Sequence, residues 1–271
     1  MTTPNARQPA APLQTQSWAP GTADRTLLRT AEKQAAFLLS YLGPGMRLLD
    51  CGCGPGTITV GLAGAVAPGE VIGIDIGARQ IELAQTHAAQ RGVHNVRFQV
   101  ADVLKLPFEN SSFDAVYANG LLMWFDDPLA ALCAMRRVLR PGGLVGVRDP
   151  DGQSTVLNPA AAVAFDRQFE WAKVHVYGGR DPRTGRRNRG LLRQAGFARC
   201  EGFADVEYAG APDSVGQFAA TQVQGQLGRI QANLGDRATL ERFAQEIRDW
   251  AESPDAFWCM THCSAIGWKE G

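Results

Sequence analysis

Between residues 46 and 150 the apolar positions fall into two alternating spacings. Short runs recur at Met46–Asp50, Glu70–Asp75, Val96–Val100, Phe113–Ala118 and Leu144–Asp149. Each is too short for a helix and is bounded by Gly, Pro, Asn or Asp, so each predicts a buried strand. Between them, Thr57–Val66, Ala78–Arg91 and the segment opening at Asp127 carry apolar residues at helical spacing. Gly92 suits the left-handed position that closes the second of these helices. Asp127 and Pro128 suit the cap and first turn of the third, with Leu129, Leu132, Val138 and Leu139 as its buried face. Upstream, Leu27, Leu28, Ala31, Ala35, Leu38, Leu39 and Leu42 form one stripe, predicting a helix over 24–42 that Gly43-Pro44-Gly45 stops. Strands alternating with helices imply an α/β fold: a Rossmann-like, doubly wound sheet with right-handed crossovers.

After Asp149-Pro150-Asp151-Gly152, a turn cluster, the regularity changes. Asn158 and Pro159 are expected to open a helix with Phe165, Phe169, Ala172 and Val176 on one face. Another helix runs through Leu191 and Leu192 to Gly196. Cys200–Tyr208 and Phe257–Ile266 read as strands, for seven in all. Between that last pair, residues 211–255 are helical in pattern, including Leu240, Phe243, Ala244, Ile247 and Trp250 behind the cap Asp236. A hairpin needs only a few residues there. Segment 151–185 is therefore expected to close as a helical lid, and 211–255 to be part of that lid or an oligomer contact. The organisation expected is a flexible tail over 1–23 and one domain over 24–271, with an N-terminal helix (24–45) and a ligand-binding core (46–150).

Charge narrows the partners. The chain has 27 basic and 27 acidic side chains and 45% hydrophobic residues, which excludes a disordered chain and any chain-wide field for DNA, RNA or an anionic membrane. No run approaches the roughly 20 apolar residues that span a bilayer. Residues 1–23 lack the apolar core of an export signal, so the six cysteines are expected as reduced thiols in the cytoplasm. Cys259, His262 and Cys263 invite a zinc site, but on a strand the cysteines stand about 13 Å apart at ~3.3 Å per residue and the histidine points the other way. No metal is expected. Arg180, Arg183, Arg186, Arg187, Arg189 and Arg193 form a basic run that a lid over an anionic substrate or an RNA would use; it reads first as a solvated face, and the lack of interleaved aromatics lowers the RNA reading further.

Chemistry concentrates in Asp50-Cys51-Gly52-Cys53-Gly54-Pro55-Gly56, a strand end, a glycine turn and a helix start. Glycines let the chain turn sharply and let a ligand touch backbone, and in an open α/β sheet this turn lies at the ligand-binding edge. The spacing is not the G-x-G-x-x-G of a dinucleotide fold, nor does a P-loop lysine follow.

These residues resemble the first motif of the class I S-adenosylmethionine-dependent methyltransferases, in the branch of the ubiquinone and menaquinone C-methyltransferases. Val71-Ile72-Gly73-Ile74-Asp75-Ile76 resembles the family's second strand, whose acidic residue takes both ribose hydroxyls. Ala101-Asp102-Val103, followed by Leu106-Pro107-Phe108 and Ser112-Phe113-Asp114, resembles its adenine-contact loop. Leu139-Arg140-Pro141-Gly142-Gly143 resembles the turn before its fifth strand. The resemblance implies S-adenosylmethionine as donor, a mostly parallel sheet with an antiparallel edge, and a small-molecule acceptor methylated on carbon or oxygen. It implies a donor site formed by Asp50, Gly52, Cys53, Gly54, Gly56, Asp75, Ile76, Gln80, Asp102, Val103, Asn119 and Gly120. Within it Asp75 suits a vicinal diol, Gln80 backs it, Asp102 suits an exocyclic amine, and Asn119 and Gly120 face the methionine end. Cys51 and Cys53 read as small fillers. A C- or O-nucleophile needs a base, for which His175 and Asp149 are the candidates, with His262 after them. The rivals are a non-methylating binder of the same donor, an NAD(P)-dependent oxidoreductase and, through the arginine run, an RNA methyltransferase.

Overall fold

The computed structural model describes residues 27–159, 183–231 and 235–271. Strands β1 (Arg47–Cys51), β2 (Glu70–Asp75), β3 (Val96–Val100), β4 (Phe113–Asn119) and β5 (Leu139–Pro150) are parallel neighbours in the order β3-β2-β1-β4-β5. They alternate with α3 (Thr57–Val66), α4 (Ala78–Gln90) and α5 (Pro128–Val138). The caps act as expected: the Asp127 carboxylate accepts from the Leu129 N–H, and Gly92 takes φ 63 beyond α4. A second part follows: β6 (Val156–Asn158), α6 (Thr184–Gln194), β7 (Arg199–Ala209), α7 (Pro212–Gln231), α8 (Arg237–Ala251) and β8 (Phe257–Trp268). Strand β8 runs antiparallel between β5 and β7.

The sheet has eight strands rather than seven. The extra one, β6, pairs three residues with the start of β8, continuing the edge where β5 leaves off; so short a strand has no periodicity to read. Asn158 accordingly ends a strand, and the Phe165 helix, His175 and tail 1–23 lie outside the described residues. Instead of one N-terminal helix, two short turns stand at α1 (Ala31–Gln34) and α2 (Ala36–Leu39), broken at Ala35. Packing explains the break. Ala31 seats on Gly61 of α3, where a Cβ would come within 2.6 Å of it, and Leu38 seats on Gly146 of β5, where a Cβ would meet it at 2.9 Å.

Side chains alternate across each strand, and the two faces are covered differently. Leu48, Val71, Ala115, Tyr117, Leu144 and Ile266 pack under α1–α3. Leu49, Ile72, Val116, Val147 and Ala265 pack under α5 and α6. Helices α7 and α8 form a hairpin on the α3 side of the β6–β8–β7 extension, where Trp250, Trp258, Val215 and Phe218 make a separate small core. Among the described residues no helix is long and apolar enough to cross a membrane.

Candidate active site

The turn after β1 is pinned to the next strand. The Gly52 and Cys53 N–H groups both donate to the Ile74 carbonyl, at 2.8 and 2.9 Å. Gly56, at φ 75, closes the turn. A Cβ there would lie 2.8 Å from that of Ala84 and 3.0 Å from the Phe98 ring, so only glycine lets α3 start against α4.

Beneath this turn the Asp50 carboxylate accepts the Thr59 hydroxyl at 2.6 Å. Burial pushes Asp50 up to about 7, against the pull of that hydrogen bond, and the charge of Asp75 adds to the rise. Asp75 fastens two loops: Oδ2 accepts from the Gly54 N–H (3.1 Å) and Oδ1 from the Gly77 N–H (2.8 Å). Burial raises its pKa while the N–H groups of Gly77, Gly54 and Ile76 hold it down. Each carboxylate oxygen keeps a second lone pair. Gln80, in the first turn of α4, flanks Gly77 together with Asp75. Its Oε1 is buried without a hydrogen-bond partner, and a buried acceptor left unpaired is costly. Two acceptor side chains converge here, as a ligand with adjacent hydroxyls requires.

Ile76 is half-buried beyond Asp75. At the end of β3, the Asp102 Oδ1 accepts from the Leu104 N–H at 2.9 Å and caps the turn that holds Val103 buried. Asn119 ends β4, and Gly120, at φ 62, turns the chain away with its N–H on the Arg148 carbonyl. Cys51 and Cys53 are buried and burial drives both thiols up, which makes them inert fillers.

Asp149 does not join this group. Alternation puts it on the α5/α6 face, opposite Asp50, Asp75 and Asn119. It is 1% exposed, with Oδ1 accepting from the Met123 N–H (3.3 Å) and Oδ2 from Asn188 Nδ2 (3.2 Å). Burial pushes it up to about 7 against those donors. Wedged between α6 and the 3-10 turn Leu122–Trp124, its carboxyl clamps the two together.

Along the α3 face after Asn119, pattern reading named His262 but missed Arg148, Asp205 and Glu207. Arg148, 4% exposed, places Nε and Nη2 on Asp205 at 3.2 and 2.6 Å and Nη1 3.4 Å from Asn119 Oδ1. Next along, His262 Nε2 lies 3.5 Å from Glu207 Oε2. The only sequence signal was polar residues at alternate positions of two otherwise apolar strands. The arginine run has an internal use: Arg186 grips Asp151 through Nε (2.5 Å) and Nη2 (2.7 Å), and Arg189 Nε donates to the Cys200 carbonyl.

An open α/β sheet whose glycine turn and buried carboxylates meet at the carboxyl edge of the strands is the class of fold that takes ligands across the strand ends. The methyltransferase domain family model matches residues 42–181, and the chain belongs to that family and is a methyltransferase. It is 30% identical over 282 residues to the Aspergillus luteorubrus protein described as "Probable methyltransferase ltbC", covering 94% of this chain and 96% of that one. O-methyltransferase rstn1 of Aspergillus nomiae is 34% identical over 163 residues, 60% of this chain and 68% of the relative. The fold matches the Haemonchus contortus phosphoethanolamine N-methyltransferase 2 solved with S-adenosylhomocysteine and phosphomonomethylethanolamine. There the TM-score is 0.60 at 15% identity, over 97% of this chain and 61% of that one. The family implies S-adenosylmethionine as the methyl donor.

Proposed function

We propose that the protein methylates a hydroxyl of a small organic acceptor, with S-adenosylmethionine as donor and the Gly52–Gly56 turn as its cradle. The observation that carries this reading is the buried Asp75 carboxylate beside the unpartnered Gln80 Oε1. Asp75 takes the ribose hydroxyls and Gln80 supports it. Asp102 receives the adenine amine between Ile76 and Val103, and Asn119 and Gly120 face the methionine amino group. Asp50 supplies negative charge beneath a cationic ligand. Oxygen as the methylated atom is supported by the likeness to a relative named an O-methyltransferase. The six cysteines are free, which suits the cytoplasm.

When bound, the donor supplies an electrophilic methyl group on sulfur. What the chain must do is align the acceptor with that methyl and exclude water, alignment alone being worth several kcal/mol. The α7–α8 hairpin is the element we assign to covering the acceptor.

Calorimetry with S-adenosylhomocysteine and with NADH tests the reading. The former is expected to bind and NADH to give no heat. Asp75→Ala is expected to weaken S-adenosylhomocysteine about 100-fold or more, since two charge-assisted hydrogen bonds of ~1.5–3 kcal/mol each are lost. Unchanged affinity in that variant removes the ribose assignment, and NADH binding in its place revives the oxidoreductase.

A further inference from the structure

Asp149 is a buried carboxyl that the methyl transfer proposed above does not use. Everything that touches its carboxylate is a donor. Oδ1 accepts from the Met123 N–H at 3.3 Å, the Leu122 N–H bonds the carboxylate as well, and Oδ2 accepts from Asn188 Nδ2 at 3.2 Å. Those two N–H groups open the 3-10 turn Leu122–Trp124, whose own bonds begin only at the Trp124 and Phe125 N–H groups. The first N–H groups of a helical turn need an acceptor from outside it, and Leu121 at the cap position has no polar side chain to offer. Asp149 is that cap, supplied from another strand.

Asn188 ties the cap to α6. Its Nδ2 donates to both Asp149 Oδ2 and the Cys263 carbonyl, each at 3.2 Å, while its Oδ1 is buried without a partner among the described residues. The amide forgoes one bond to turn both hydrogens onto these acceptors. Helix α6 itself begins against the strand, since a Cβ on Gly185 would fall 2.4 Å from the Asp149 carbonyl oxygen. At the other end of the turn, the Leu121 side chain lies over the glycine turn after β1. A Cβ on Gly52 would come within 3.0 Å of Leu121 Cδ1. Contacts therefore run from Asn188 through Asp149 and the 3-10 turn to Gly52.

We propose that Asp149 is a positioning residue for the donor: with Asn188 it latches the Leu122–Trp124 turn so that Leu121 stays packed on Gly52, on the reading that the Gly52–Gly56 turn cradles the donor. The carboxylate touches neither donor nor acceptor. It acts through the backbone of the turn, and α6 thereby bears on donor affinity without reaching the donor.

The test is calorimetry with S-adenosylhomocysteine on wild type, Asp149→Ala, Leu121→Ala and the double variant, each first shown to be folded by circular dichroism. Asp149→Ala is expected to weaken binding about 10-fold, because the turn loses an ionic acceptor. Leu121→Ala is expected to weaken it by a similar factor and the double variant no further, since both act through one contact. Asp149→Asn keeps an oxygen for the two N–H groups and is expected to recover affinity to within about 3-fold of wild type. Amide hydrogen exchange at Leu122 and Met123 is expected to quicken in Asp149→Ala and not in Leu121→Ala. Should Asp149→Ala not fold, Asn188→Ala, which cuts the carboxylate from α6, takes its place in the same cycle, with a loss of about 3-fold expected. Unchanged affinity, a loss of the same size with and without Leu121, or no recovery in Asp149→Asn overturns the latch, makes Asp149 a structural tie and leaves the donor reading intact. A wild-type protein that does not bind S-adenosylhomocysteine removes the donor reading and the latch with it.

Discussion

On β1 and β2 the buried carboxylates are held by the turns they belong to. Asp50 accepts from Thr59, nine residues on, and Asp75 from the N–H groups of Gly54 and of Gly77, two residues on. On β5, β7 and β8 the partners are side chains far apart in sequence. Arg148 meets Asp205 across 57 residues, Asp149 meets Asn188 across 39, and Glu207 meets His262 across β7 and β8. Backbone N–H groups of a closed turn cannot be substituted away, so Asp75 holds its geometry whatever the neighbouring side chains, and Asp50 depends only on a hydroxyl in the helix that follows its own turn. Pairs between side chains exist only once the sheet is assembled, and a change of one residue re-aims them.

The largest effect that separates the halves is expected from Trp250→Ala. The Trp250 ring stands edge-on to Phe218 and its Nε1 donates to the Asn158 carbonyl at 3.0 Å, which ties α8 to β6. Truncation of a buried tryptophan costs about 3–5 kcal/mol, read by denaturant unfolding. S-adenosylhomocysteine affinity is expected to hold, because none of these contacts reaches β1, β2 or β4. A parallel fall in that affinity would mean that the halves are one cooperative site and would break the comparison.

A somewhat smaller effect, opposite in sign, is expected beneath the glycine turn. Burial pushes both Asp50 and Asp149 up to about 7, well above the ordinary aspartate range. The folded protein therefore holds their protons more tightly than the unfolded chain does. Stability from these groups is full at low pH, falls as the pH rises through the window from about 4 to 7, and is flat above it. Asp50→Asn keeps the shape and the Thr59 contact without the charge. It is expected to unfold later than wild type at about pH 7.5, by an amount of the order of a few kcal/mol, while binding the cationic donor more weakly. Equal stability at both ends of the window would show that the ionised carboxylate is not strained.

The same contrast explains what the sequence made legible. Strands β2 and β3 and helix α3 stand where their apolar spacing puts them, because short buried strands and capped helices are decided locally. The glycine turn pinned against β2 and Asp75 was legible for the same reason: glycines and a strand-end carboxylate lie within one βαβ unit. The break at Ala35 was not, since it is set by Gly61 and Gly146, which belong to other elements. Nor was the Arg148–Asp205 pair, whose register depends on the order β5-β8-β7. Asp149 shows the remaining hazard. Its place at a strand end was read correctly, but the residue parity that turns it to the α5/α6 face decides its neighbours.

The arginine run gives the smallest effect, and one that bears on the half built around β5 to β8. Arg186 is half-exposed, with 47% of its side chain open to solvent, whereas Asp151 keeps 7%. Asp151 also accepts from the Gln153 N–H at 3.3 Å, so it shapes the turn between β5 and β6 while holding α6 through Arg186. An exposed cation gives little in water, but here its partner is nearly buried and the contact is two-pronged. Arg186→Ala is accordingly expected to lower stability by about 1 kcal/mol, shrinking as salt is added, and Asp151→Ala by more because the turn loses its acceptor too. If Arg186→Ala left unfolding untouched yet released a salt-sensitive complex with transfer RNA in a filter-binding assay, the run would be a nucleic-acid surface. A loss of stability with no such complex in the wild type assigns the arginine to the joint between α6 and the sheet.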